Sequence, residues 1–345
     1  MSNLFLVNQF ILLIFIASSC SSAHLPNNLK QVQVNDQSLT DSSKTMIDIA
    51  KNKVVGNGKM IILEQALENP FLPGDSVFCN GKKVVAYPVD ETMSRIQYFV
   101  HAGYYTVAPK KISCFIQSQS SSGLSEKVGL NAVKLGDIEV VDFPYLEEKL
   151  SVDQKKVDLS KKDLARVERE QAMLNKIYIA SSEILLFHKP FILPIDSFRT
   201  SIYGNRRIFN KSQMSTHLGN DFRAAIGTPV PVSNRGKVVY VGDLFFSGKT
   251  VIVDHGLGLF TMYAHLKSIS VTQTALINQG DILGLSGATG RVSGPHLHWG
   301  VKISGDWIDG TEVVSQTNQF LKIYENRSTE LSVKENVKDK KIKTF

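Results

Sequence analysis

A chain of 345 residues, 43% hydrophobic and 21% charged, is long enough for a buried core and for two globular units, which excludes an intrinsically disordered protein. The formal charge of +7 would suit an anionic partner, but outside the C-terminal tail the Lys and Arg residues are scattered, so no concentrated nucleic-acid footprint exists.

In chain order, the first nineteen residues carry no charge, and Phe10 to Ala17, "FILLIFIA", is an apolar run followed by small residues. The run is short for a membrane span and fits an export signal over residues 1–23. Cys20 follows Ala17-Ser18-Ser19 in a manner that resembles a bacterial lipobox, which would lipidate Cys20 and attach the chain to a membrane; cleavage after Ala23 is the alternative. Residues 24–55 are polar and read as a tether. From 56 to 142, β-rich runs such as "KMIILEQ", "KKVVAYPV" and "KISCFIQ" alternate with the turn signals "PGD" and "NGK", which predicts a small β-sandwich-like domain. In an oxidising compartment Cys79 and Cys114 are expected to form one disulfide, with two separate buried thiols as the alternative.

Residues 143–189 read as a helical linker. Within it, Leu164, Val167, Leu174 and Tyr178 fall at helical spacing behind a Ser160/Asp163 capping pattern, so one helix over Ser160 to Ser181 is predicted to bridge the two domains. From 190 to 319, strand-like segments return ("VPVSNRGKVVYVGD", "KTVIVDHG", "LFTMYAHL", "DILGLSG", "HLHWGVKI") with glycines between them, which predicts an antiparallel β domain and makes the whole chain mainly β. Residues 320–345 are charge-rich and read as a disordered tail.

Five of the eight histidines fall in or beside the glycine-rich segments of this last domain: His217, His255, His265, His296 and His298. On "HLHWGV" side chains alternate, so His296, His298 and Gly300 share one face while Leu297, Trp299 and Val301 share the other and can enter a core. The same alternation on "FTMYAHL" sends Thr261, Tyr263 and His265 together to one side, from which a third imidazole is expected in the same groove. "STHLGNDF" brings His217 and Asp221 together around a glycine. Two imidazoles and a carboxylate are what Zn²⁺ takes in catalytic sites, with the fourth position left to a water whose pKa falls to about 7. Further histidines nearby can serve as general base or steady a tetrahedral oxyanion. His255, in "VDHG", reads as a structural histidine.

The three motifs His217-x-x-x-Asp221, Tyr263-Ala264-His265 and His296-Leu297-His298, in this order over residues 195 to 305, resemble the M23 zinc metallopeptidases, the LytM or lysostaphin-like peptidoglycan endopeptidases. That resemblance implies one Zn²⁺ held by His217, Asp221 and His298, with His265 and His296 as the catalytic pair. Arg206, in "YGNRR", falls about where some relatives place an oxyanion-supporting tyrosine and is a candidate for positioning substrate. The expected partner is peptidoglycan in the periplasm or at the outer membrane, with secretion as the alternative, and the expected reaction is hydrolysis of D-Ala-meso-diaminopimelate cross-links by attack of zinc-bound water. The alternative is a non-catalytic or latent M23-like module that binds the wall or activates an amidase.

Overall fold

The structure is a computed structural model that describes residues 53–118, 132–150, 159–209, 213–292 and 294–319. The expected signal peptide, the lipidation site Cys20, most of the tether and the charged tail lie outside the described residues.

Nine strands precede the long helix among the described residues: β1 (Val54–Gly56), β2 (Met60–Ala66), β3 (Ser76–Cys79), β4 (Lys82–Val84), β5 (Ala86–Pro88), β6 (Arg95–His101), β7 (Lys110–Gln117), β8 (Ala132–Val141) and β9 (Glu147–Leu150). The first eight build a five-stranded sheet in the order β1-β8-β7-β3-β4 and a three-stranded sheet in the order β2-β6-β5. Both faces of the smaller sheet are buried. Ile61, Leu63, Ile96, Tyr98 and Val100 pack with the five-stranded sheet, whereas the alternate residues Met60, Ile62 and Phe99 enter the core of the C-terminal half. Cys79 and Cys114 stand directly opposite on β3 and β7 and are joined by a disulfide.

The helix α1 (Lys161–Ile179) starts where the capping pattern places it: the Ser160 hydroxyl accepts a hydrogen bond from the Asp163 amide at 3.1 Å. Its Leu174 is buried, with Ile177 and Tyr178 packed beside it. The segment read as a helical linker differs at its start, where Glu147–Leu150 is a strand. The polar tether likewise ends two residues early, because Val54 already pairs with Glu139.

Twelve strands follow: β10 (Arg199–Ser201), β11 (Arg206–Phe209), β12 (Gln213–Thr216), β13 (Asn220–Arg223), β14 (Pro229–Pro231), β15 (Gly236–Leu244), β16 (Gly248–Asp254), β17 (Leu259–Ile269), β18 (Leu276–Ile277), β19 (Ile282–Ser286), β20 (His296–Ile303) and β21 (Asp306–Ile308). Ten of these twelve form an antiparallel sheet whose main path is β10-β13-β20-β17-β16-β15-β18. The hairpin β11-β12 stands apart and takes β9 as a parallel third strand. A last helix, α2, begins at 310 and runs to the end of the described residues at 319. One face of the large sheet carries Leu297, Trp299, Val301 and Tyr263 into the main core. The other carries Phe260, Met262 and Ala264, over which α1 lies.

Candidate metal centre

The site lies where β13, β20 and β17 run side by side. In the β13–β20 register Asp221 is opposite His298, and in the β20–β17 register His298 is opposite Ala264. A carboxylate and an imidazole are therefore fixed face to face by backbone pairing. His217 enters from the short connection before β13, only three residues upstream of Asn220. Gly219 lies in that connection, and a Cβ there would meet the His298 ring at 2.5 Å, so the absence of a side chain is what admits the imidazole.

Three donor atoms converge. His217 Nε2 is 3.0 Å and His298 Nδ1 is 2.8 Å from Asp221 Oδ1, and the two nitrogens are 3.3 Å apart. Ligand atoms placed tetrahedrally at about 2.0–2.1 Å from a zinc ion would stand about 3.3 Å from one another, so the set has the chemistry and the spacing to hold a metal ion. His217 Nδ1 donates to the Ile202 carbonyl at 2.9 Å, which leaves the lone pair on Nε2 facing the other two donors. Burial pushes the Asp221 carboxyl up, but the adjoining His217 and His298 imidazoles outweigh it and hold the group well below the usual carboxylate range. Burial pushes the His298 imidazole down against the pull of Asp221, which favours the neutral ring that metals bind.

Two more imidazoles border the centre. The His265 ring lies 4.7 Å from that of His296 and 6.0 Å from that of His298, centroid to centroid. His265 Nδ1 donates to the Thr289 carbonyl and His296 Nδ1 to the Gly294 carbonyl, each at 2.9 Å. Both rings thus keep Nε2 for the site. His296 Nε2 is buried 3.8 Å from Asp221 Oδ1 without a hydrogen-bond partner among the described residues. Burial, then the neighbouring His296 and His298, lower the His265 pKa to about 3, so this ring is neutral at neutral pH.

His265 reaches the groove for a reason that differs from plain alternation. Its neighbour Tyr263 points into the main core with Trp299, and strict alternation would send His265 after it. Instead, His265 has φ +61°, and the β17 pairings are irregular around this residue. This bulge turns the imidazole to the face of His298 and returns Leu266 to the core.

Arg206 turns away to Tyr104, whose hydroxyl accepts from Nε at 3.2 Å, and to Glu147. The next residue, Arg207, is buried and places Nη2 3.8 Å from Asp221 Oδ2, with a further hydrogen bond to Ser201. Successive strand residues take opposite faces, so only one of Arg206 and Arg207 can turn to Asp221, and the sequence does not say which. His255 stays outside the site: it is fully buried, donates from Nδ1 to the Arg235 carbonyl at 2.8 Å and accepts from Thr261 at 2.8 Å.

Residues 215–310 match the model of Peptidase family M23, so this chain carries an M23 peptidase domain. It is 39% identical over 115 residues to the peptidoglycan DD-endopeptidase ShyA of Vibrio cholerae, a stretch covering 32% of this chain and 27% of that protein. It is 37% identical over 104 residues to the DD-carboxypeptidase/endopeptidase Mpg of Neisseria meningitidis, covering 30% and 24% of the two chains. The chain therefore spans about a quarter of the length of these curated relatives. A crystal structure described as a candidate M23 peptidase from Pseudomonas aeruginosa superposes with a TM-score of 0.59 at 26% identity, covering 79% of this chain and 99% of that one. That likeness extends beyond the peptidase domain.

Proposed function

We propose that the M23 domain of this chain is a zinc endopeptidase that hydrolyses peptide cross-links of peptidoglycan, in the cell envelope to which the N-terminal export signal would send it. The observation that carries the reading is the convergence of His217 Nε2, Asp221 Oδ1 and His298 Nδ1 beside two imidazoles whose Nδ1 atoms are already bonded to carbonyls. His217, Asp221 and His298 would hold the ion. When bound, zinc polarises a scissile carbonyl and acidifies water. His265 and His296 then do the proton work: with Nδ1 donating to Thr289 and Gly294, each ring presents the Nε2 lone pair, and the ring beside the attacking water takes its proton and, as imidazolium, returns it to the leaving amine. The buried Arg207 holds the second carboxylate oxygen of Asp221. Arg206, held at Tyr104, is assigned the outer rim, where it can meet substrate beyond the reacting bond.

Similarity to a DD-endopeptidase favours the D-Ala-meso-diaminopimelate bond as the one cut. A non-catalytic wall-binding module is disfavoured because all five motif positions are present and oriented inward. The test is incubation of purified cross-linked muropeptide dimers with the protein, followed by mass spectrometry, beside a chelated sample and His298→Ala. Monomers are expected in the untreated sample alone, with masses that name the bond. Dimers left intact by the zinc-loaded protein would refute the reading.

A further inference from the structure

Alternation along β20 does not end at the metal centre. His296, His298, Gly300 and Lys302 occupy one face, since Leu297, Trp299, Val301 and Ile303 fill the core on the other. Lys302 is four residues past His298, about 13 Å along the strand. Between them the Trp307 ring lies on Gly300, where a Cβ would come within 2.7 Å of it. The Lys302 ammonium is 4.6 Å from the Trp307 ring centroid and 5.0 Å from that of Tyr178 on α1. It opens into a cavity of about 740 Å³ walled by α1, by the loop before β7 and by the β20–β21 turn, and reaching Leu218, the neighbour of His217.

Among the described residues, the charges that line this cavity do not balance. Asp306, its one lining carboxylate, is engaged by Lys82 at 2.6 Å and His101 at 3.3 Å. Among the described residues no carboxylate lies within ion-pair distance of Lys302 or of Lys110 at the cavity wall. Burial lowers the Lys302 pKa to about 8 against the pull of Asp306, which still leaves the ammonium charged at neutral pH. Gln171 and Asn175 on α1 add amide donors to the same wall. A charged donor between two aromatic faces, flanked by amides, suits a carboxylate on a partly apolar chain.

We propose that Lys302 and the cavity it opens into form a subsite for a free carboxylate of the substrate peptide, about four extended residues from the bond that is cut. The inference rests on the endopeptidase reading above, which makes the substrate a peptide. It makes Lys302 a specificity residue, acting on binding and not on the chemical step.

The experiment compares a cross-linked muropeptide dimer carrying free carboxylates with the same dimer amidated. Equilibrium binding is measured first, to chelated protein, so that no turnover is needed; kcat/KM follows with zinc. The wild-type protein is expected to prefer the carboxylate form on the order of tenfold, since a hydrogen bond to a charged group contributes about 1.5–3 kcal/mol. Lys302→Met should bring that ratio to about one, with the loss carried by KM, and Lys302→Arg should keep most of it. Asn175→Asp, nearly isosteric, sets a competing carboxylate on the same wall and should also erase the preference, which keeps the test decisive if Lys302→Met fails to fold. A wild-type protein without preference, or a preference that survives both Lys302→Met and Asn175→Asp, overturns the subsite. Carboxylate-selective binding without any cleavage would sustain the subsite and refute the endopeptidase reading.

Discussion

Gly219 is where one missing atom decides the metal centre. A Cβ there would stand 2.5 Å from the His298 ring and 2.8 Å from the Trp299 carbonyl, and the carbonyl cannot retreat, because β20 is pinned between β13 and β17. Gly219→Ala should therefore rotate the imidazole off its bearing and weaken zinc binding about 10- to 100-fold, the usual cost of disturbing what orients a ligand. A competition titration against a chromophoric chelator would read it, and wild-type affinity in the variant would discard the argument. At this scale much of the site was legible. The two-residue period placed His296 and His298 on one face, and the HxxxD spacing brought His217 to Asp221, because both are local properties of the backbone. His265 was placed correctly on faulty grounds, since its left-handed φ is set by pairing with two neighbouring strands. Arg207 was missed in favour of Arg206, since β11 could not be oriented without knowing which face it turned to Asp221.

The turn that joins β16 to β17 shows how an element is locked by a buried titratable group. His255 ties the turn to the Arg235 carbonyl beside β15 and to Thr261 on β17, and its ring lies 5.0 Å from that of Phe191. Burial lowers its pKa from 6.5 to about 4. Because the folded-state value is depressed, the unfolded chain binds the proton first as pH falls. Stability from this residue is thus complete above about pH 6.5 and is lost progressively down to about pH 4. At about 1.4 kcal/mol per pH unit the loss over the window is about 3 kcal/mol. Urea unfolding at pH 7 and pH 5 should show a larger drop for the wild-type protein than for His255→Gln, which cannot titrate; equal drops would exclude the mechanism. Elements of this kind were legible where their signals are local. The capping pair and the Leu174 stripe marked α1, and alternation with glycine turns marked β14 to β17, β19 and β20, but not the two-residue β18. The parallel partners β1 with β8 and β9 with β11 were not legible, because pairing between strands tens of residues apart leaves no local pattern.

Across the whole molecule, the sequence reads as two β units joined by a helix, yet the packing joins them through one core. Met60, Ile62 and Phe99 of the three-stranded sheet belong to the same buried cluster as Trp299, Ile308 and Val313. Polar contacts run along the same seam. Lys59 pairs with Asp309 at 2.9 Å and Glu312 at 3.1 Å, the Ile62 amide donates to Gln316 at 3.1 Å, and the Asp309 amide donates to the Gly58 carbonyl at 2.9 Å. Burial acts against the charge on Lys59, but the two carboxylates raise its pKa, so the ammonium stays charged in the folded protein. A sheet buried on both faces cannot detach without exposing apolar surface on each side, which costs about 25 cal/mol per Å². Calorimetry should accordingly give a single cooperative transition, and Ile62→Asp, placing an unpaired charge at the seam, should lower its midpoint while keeping it single. Two transitions in the wild-type protein, with only the earlier one shifted by Ile62→Asp, would mean that the halves are independent. The consequence reaches the chemistry. The cavity beside Lys302 is walled by the loop before β7, by α1 and by the β20–β21 turn, so its shape is fixed only while that seam holds.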